Sequence, residues 1–203
     1  NNDGNDVYQG YPEYPGPFDS SHLDGTTITT ENFLKPRSYG LEDTQVGTVM
    51  YCTGVFNSYT HESVGITDTR VRDWSRALKQ YTGKDSLETM IDYVHSIDKD
   101  IFWSMRMNDT HDYQYEENQL DPWKQANMDL LMYRKYDATY MAYGENRWSS
   151  VDYTLTPVRQ VVYDILKDTL TRYDIDGLEL DLTRWPIFFK EQTQGYDIYP
   201  ENI

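Results

Sequence analysis

The chain has 203 residues, 34 of them acidic and 18 basic, for a formal net charge of −16. That length suits one domain able to bury a real core. A charge so negative repels nucleic-acid phosphates and anionic membranes, and no apolar run is long enough to span a bilayer, so neither is an expected partner.

Residues 46–54 are the first expected strand. Alternation puts Val49, Tyr51 and Thr53 on one side and Thr48, Met50 and Cys52 on the other. Cys52 is the single cysteine, which excludes an intrachain disulfide and points to a buried structural thiol.

Asp85-Ser86-Leu87-Glu88 has capping-box spacing, with Asp85 as the cap. Leu87, Met90, Ile91, Val94 and Ile97 then recur at helical spacing. After the short link Lys99-Asp100, residues 101–108 read as a strand. Trp103, Met105 and Met107 share one face, and Ser104, Arg106 and Asn108 share the other.

Residues 110–156 form a long excursion rich in Tyr, Trp, Asp and Asn. A short helix is expected near 122–134 and an extended piece at 147–153. Residues 158–173 are an amphipathic helix. Pro157 suits its first turn and Thr156 is the expected cap.

A tight turn, Asp174-Ile175-Asp176-Gly177, leads into a strand at 178–183. Leu178, Leu180 and Leu182 line one face, and Glu179, Asp181 and Thr183 line the other. A helix, a tight turn and a strand thus occur twice, which is the second half of a βαβ unit. The links entering the strands are short and those leaving them are long. In β/α folds the functional loops sit at the C-terminal ends of the strands. The expected site is therefore built there from Arg106, Asn108, Asp109, His111, Asp112, Asp181 and Arg184.

The run Phe102-Trp103-Ser104-Met105-Arg106-Met107-Asn108-Asp109-Thr110-His111-Asp112 resembles a signature of the glycosyl-hydrolase-like 10 family. So does Tyr173-Asp174-Ile175-Asp176-Gly177-Leu178-Glu179-Leu180-Asp181, with Arg184 and Pro186. Asn1-Asn2-Asp3-Gly4-Asn5-Asp6 resembles the segment after that family's first barrel strand, and Met50-Tyr51-Cys52-Thr53-Gly54 resembles its second strand. The resemblance implies an α/β fold, part of a bacterial (β/α)8 barrel with parallel strands inside and helices outside. It implies that 1–203 is a single domain running from the end of strand one through strand four of a larger barrel. It also implies hydrolysis of O-glycosidic bonds in a carbohydrate, with no cofactor. The family-18 chitinase motif Asp-Gly-x-Asp-x-Asp-x-Glu is matched only at Asp176, Gly177 and Asp181. Glu179 replaces the middle Asp, and Thr183 stands where the catalytic Glu would be, which argues against substrate-assisted chemistry.

Asp181 is the first catalytic candidate, with Glu179 two residues before it. Carboxyls so close resist losing both protons, which suits a general acid. Glycosidases generally use two carboxyls that flank the bond, so a partner on a later strand is expected. The substrate-binding candidates are Asn5, Asp6, Tyr51, Arg106, Asn108, Asp109, His111, Asp112, Trp148 and Arg184. Arg106 offers a planar donor fork, and loop aromatics such as Trp148 can stack on sugar rings. His61, just after the first expected strand, could approach the same site, whereas His95 reads as a surface residue. No metal-ligand spacing is evident, so no metal is expected. Two alternatives stay open: a non-catalytic carbohydrate-binding barrel, and a metal-assisted hydrolase using Asp109, His111 and Asp112. The residues assign no compartment, and a periplasmic or secreted location is compatible with them.

Overall fold

The computed structural model describes residues 28–35, 38–56, 58–64, 66–67, 72–110, 112, 120, 122–133, 148–183 and 187–190. In chain order these give α1 (Thr30–Leu34), β1 (Thr48–Cys52), β2 (Gly54–Val55), β3 (Ser58–Tyr59), β4 (Ile66–Thr67), α2 (Arg72–Thr82), α3 (Ser86–Ser96), β5 (Asp100–Arg106), α4 (Pro122–Ala126), a 3-10 turn at Met128–Leu130, α5 (Thr156–Arg172) and β6 (Gly177–Asp181). The fold is α/β. Strands β1, β5 and β6 form a parallel sheet in chain order, as the repeated helix–turn–strand unit and the resemblance imply, and β2, β3 and β4 form a small second sheet. No helix among the described residues is long and apolar enough to cross a membrane.

Parallel register decides which side chains share a face. Val49 and Tyr51 lie beside Ile101 and Trp103, and Trp103 lies beside Leu178. This is the apolar face. Ile101, Trp103 and Met105 are fully buried, each contributing roughly 1.5–3 kcal/mol of hydrophobic stabilisation. Leu87, Met90 and Val94 of α3 join the same core, as do Val158, Val162 and Ile165 of α5. The helices outside the strands that the resemblance implies would cover the whole leucine face of β6, but among the described residues they do not cover all of it. Leu180 is 45% exposed and Leu182 49%, as β6 is the outermost of the three described strands.

Each short link is fastened by a carboxylate. Asp85 caps α3 with a reciprocal capping box, accepting from the Leu87 and Glu88 backbone N–H groups while Glu88 accepts from the Asp85 N–H. Its other oxygen accepts from the Glu62 N–H at 3.1 Å and from the Tyr173 hydroxyl at 2.5 Å. Burial first, and then the Asp85 charge, push the Tyr173 phenol well above its ordinary pKa. Asp176 accepts from the Ile101 N–H at 2.8 Å and pairs with His95 at 2.9 Å, so His95 also ties the end of α3 to the turn before β6. The Ile101 N–H, and secondarily His95, hold the Asp176 carboxyl below its ordinary pKa. The start of α5 differs from expectation. Its cap position is Leu155, and Thr156 lies inside the helix. The entering turn is instead shaped by Asp152, whose carboxylate accepts from both the N–H and the hydroxyl of Thr154.

His61 sits in the interior rather than at a site. Its ring lies 5.3 Å from Trp103 and from Tyr173 and 5.2 Å from Tyr59. Its nitrogens contact Thr53 Oγ1 at 2.7 Å and Thr169 Oγ1 at 3.3 Å, and the Trp103 indole N–H donates to that same Thr53 oxygen. Burial drives its pKa from 6.5 down to about 3; Asp168 opposes the shift and Arg172 adds to it. The unfolded chain therefore takes up this proton first as pH falls. The stabilisation is complete above pH 6.5 and is lost on acidification toward pH 3. We expect unfolding free energy to drop by about 2 kcal/mol between pH 6.5 and 5 on this account. Urea titrations of wild type and His61→Gln across that range check it, since the variant should lack this component of the slope.

Candidate active site

The face opposite the apolar one is polar toward the C-terminal ends of the strands. Arg106 pairs in register with Asp181, and one rung earlier Ser104 pairs with Glu179. Cys52 of β1 lies beside Ser104 on that face. At the rung below, Phe102 lies beside Gly177. A Cβ built on Gly177 would come 2.5 Å from the Phe102 ring, so the glycine of the Asp-Gly pair makes room for an aromatic neighbour.

Asp181 is half-buried, and its Oδ1 accepts from the Thr183 N–H at 3.0 Å and from the Thr183 hydroxyl at 2.8 Å. This local turn orients the carboxylate just as the strand ends. Arg106 is buried, with its guanidinium 3.5 Å from a carboxylate oxygen of Asp109, which is itself buried. The low dielectric around this pair strengthens its attraction and penalises any loss of one partner. The Met107 N–H donates to the Asp181 carbonyl at 3.1 Å, extending the β5–β6 ladder past the strand ends and fixing the site's floor. On the rung before, the Glu179 Oε2 and Ser104 Oγ are both buried and find no hydrogen-bond partner among the described residues.

The structure thus brings together four residues expected at the site, Arg106, Asp109, Glu179 and Asp181. Others fall elsewhere. Asn108 lies just beyond β5, but its amide is committed to backbone: it donates to the Val151 carbonyl at 2.9 Å and the Ile187 carbonyl at 2.6 Å, and accepts from the Val151 N–H at 2.9 Å. It is a buried clamp between two loops, not an outward-facing ligand for substrate. Asp112 accepts from Lys124 Nζ at 2.7 Å and from the Ser149 hydroxyl at 2.6 Å, so both of its oxygens hold protein. Trp148 is fully buried in the core, so its ring face is not available to stack on a sugar. Tyr51 is fully buried beside Trp103, on the face opposite Asp181, because its place in β1 is an odd number of residues from the polar positions. Asn5, Asp6, His111 and Arg184 lie outside the described residues.

Three further residues stand at or near the site. Ser104 belongs to the polar alternation, and its position beside Glu179 follows only from the register. Thr183 was visible as a polar residue two beyond Asp181, the spacing of a side chain-to-backbone turn. Lys124 carried no signal: it is 2% exposed within a helix of five residues, with its ammonium 5.8 Å from the Phe56 ring centre. Among the described residues no group of His, Cys, Asp and Glu is arranged to hold a metal ion, and Asp109 and Asp112 each face a cationic side chain.

Compared with known proteins, the chain matches no protein-family model and no curated protein.

Replacing Asn108 tests its clamp role. Asn108→Ala leaves the Val151 N–H, the Val151 carbonyl and the Ile187 carbonyl buried without their partner. We expect a loss of roughly 2–4 kcal/mol in unfolding free energy by chemical denaturation. Asn108→Asp should also destabilise, because a carboxylate cannot donate to the two carbonyls. A substrate-contacting asparagine would instead leave stability near the wild-type value.

Proposed function

We propose that this chain carries a carbohydrate-hydrolysing site of the kind its glycosyl-hydrolase-like 10 resemblance implies, within a (β/α)8 barrel. The observation that carries the reading is the pairing of Arg106 with Asp181 at the C-terminal ends of adjacent parallel strands, with Glu179 one rung before on the same face. Active sites of β/α folds form at that end. A carboxyl there can give its proton to the departing glycosidic oxygen as the old C–O bond breaks, while the second carboxyl expected on a later strand takes a proton from the water whose oxygen bonds the anomeric carbon. Asp181 takes this role. Thr183 orients it, Glu179 adds negative charge behind it, and Arg106, held by Asp109, offers N–H groups to sugar oxygens. The partner is a carbohydrate, and no nucleic acid, membrane, metal or cofactor enters the scheme.

A non-catalytic carbohydrate-binding barrel is favoured by one observation. Glu179 and Asp181 come from the same strand, whereas glycosidase carboxyls flank the scissile bond. Hydrolysis of a glycan panel separates the two readings. In the complete barrel we expect Asp181→Asn to keep the fold and glycan binding but to lower turnover at least about 100-fold, since an amide cannot exchange a proton at neutral pH; residues 1–203 alone, without the partner carboxyl expected on a later strand, should be nearly inactive. Arg106→Lys should mainly weaken binding, because an ammonium lacks the guanidinium fork. Unchanged turnover in Asp181→Asn rules out the catalytic role, and absence of turnover in the complete wild-type barrel with binding intact favours the binding module.

A further inference from the structure

Buried hydroxyls and carboxylates nearly always have hydrogen-bond partners, so two neighbouring ones without any call for a physical reason. Ser104 is 2% exposed, and its Oγ has no hydrogen-bond partner among the described residues. Glu179 Oε2 is buried and has none either. The two residues are in register on adjacent parallel strands, so their backbones lie about 4.8 Å apart and both side chains leave the same face. One rung further along that face stand Arg106 and Asp181.

We infer that Ser104 and Glu179 form a subsite for one hydroxyl group of a neutral, polyhydroxylated ligand; this rests on the carbohydrate reading above. The assignment follows from donor and acceptor inventories. An ionised carboxylate only accepts, while a serine hydroxyl donates one proton and accepts others. A ligand hydroxyl gives its proton to Glu179 Oε2 and takes the proton of Ser104 Oγ, so a single group satisfies both. A ligand ammonium would serve Glu179 but leave the serine proton without an acceptor. An anion would meet the carboxylates of Glu179, Asp181 and Asp109, against one guanidinium already engaged with Asp109. The subsite therefore selects a neutral hydroxyl, one rung deeper than the proposed proton donor.

Such a site has a signature that a structural serine lacks. A buried hydroxyl without a partner lowers stability, so deleting it should not destabilise the free protein, while ligand binding should suffer. The test uses the 203-residue chain and its Ser104→Ala variant. Thermal unfolding is recorded without ligand, and cellohexaose, maltohexaose and chitohexaose are titrated by calorimetry. Wild type is expected to bind at least one of these sugars. Ser104→Ala should bind it about tenfold or more weakly, the scale of losing a hydrogen bond to a charged group's partner, with its melting temperature unchanged or raised. The subsite is overturned if wild type binds none of the three, if Ser104→Ala binds as tightly as wild type, or if that variant melts several degrees lower without ligand. These outcomes are separable from the catalytic reading. Full turnover in Asp181→Asn removes the catalytic role and leaves the subsite standing. Unchanged affinity in Ser104→Ala removes the subsite and leaves the role of Asp181 standing.

Discussion

The Phe102 ring lying over the bare Cα of Gly177 is the contact on which the rest of the arrangement depends. In a parallel ladder, a slip of one residue sends every side chain of a strand to the opposite face. Here such a slip would place Leu178 or Asp176 against the ring in place of the one residue with no Cβ to collide with it. With that rung held, Trp103 meets Leu178 in the core, Ser104 meets Glu179, and Arg106 meets Asp181. The polar pairs are thus a consequence of an apolar packing constraint two to four residues away. The same rung explains why glycine follows Asp176: the aspartate staples the strand entrance through the Ile101 N–H, and the glycine admits the ring immediately afterward.

Acidity in this chain has two uses. Several carboxylates act as multidentate acceptors that tie separate segments together. Asp85 joins the N-terminus of α3 to the segment after β3 and to the residue closing α5, and Asp152 shapes the turn entering α5. Asp112 does the same from a loop, with the buried Lys124 as its cation. Replacing such a buried pair by apolar groups can be neutral, but removing one member leaves a desolvated charge, so these contacts confer specificity more than raw stability. The other use is confined to the end of the β5–β6 ladder. There Asp109 lies 3.5 Å from the Arg106 guanidinium, Asp181 and Glu179 stand in register beside Arg106 and Ser104, and the local turn at Thr183 aims Asp181. Described segments beyond β5 frame this end: the Val151 backbone and the Ile187 carbonyl are held by Asn108, and Leu131 pairs with Val151 in an antiparallel bridge.

Period-two alternation and helical stripes in the sequence sufficed to place β1, β5, β6, α3 and α5, because each element follows its own local pattern of apolar and polar residues; that the strands run parallel came from the repeated helix–turn–strand unit and the resemblance. The capping box at Asp85 and the polar alternation of Arg106, Glu179 and Asp181 were likewise local. Roles that depend on distant partners were not. Asn108 and Asp112 have the composition of ligand-binding residues, and only the folded chain shows their polar atoms spent on Val151, Ile187, Lys124 and Ser149. Trp148 carries an aromatic ring in an irregular segment, as a sugar platform does, and only packing shows it interior. His61 stood near a strand end, and only the aromatic surroundings of Tyr59, Trp103 and Tyr173 show it held neutral. The pairing of Ser104 with Glu179 is a fact of register between strands more than seventy residues apart in sequence. Alternation assigns each to a face of its own strand, but which residues stand side by side is decided by the ring over Gly177.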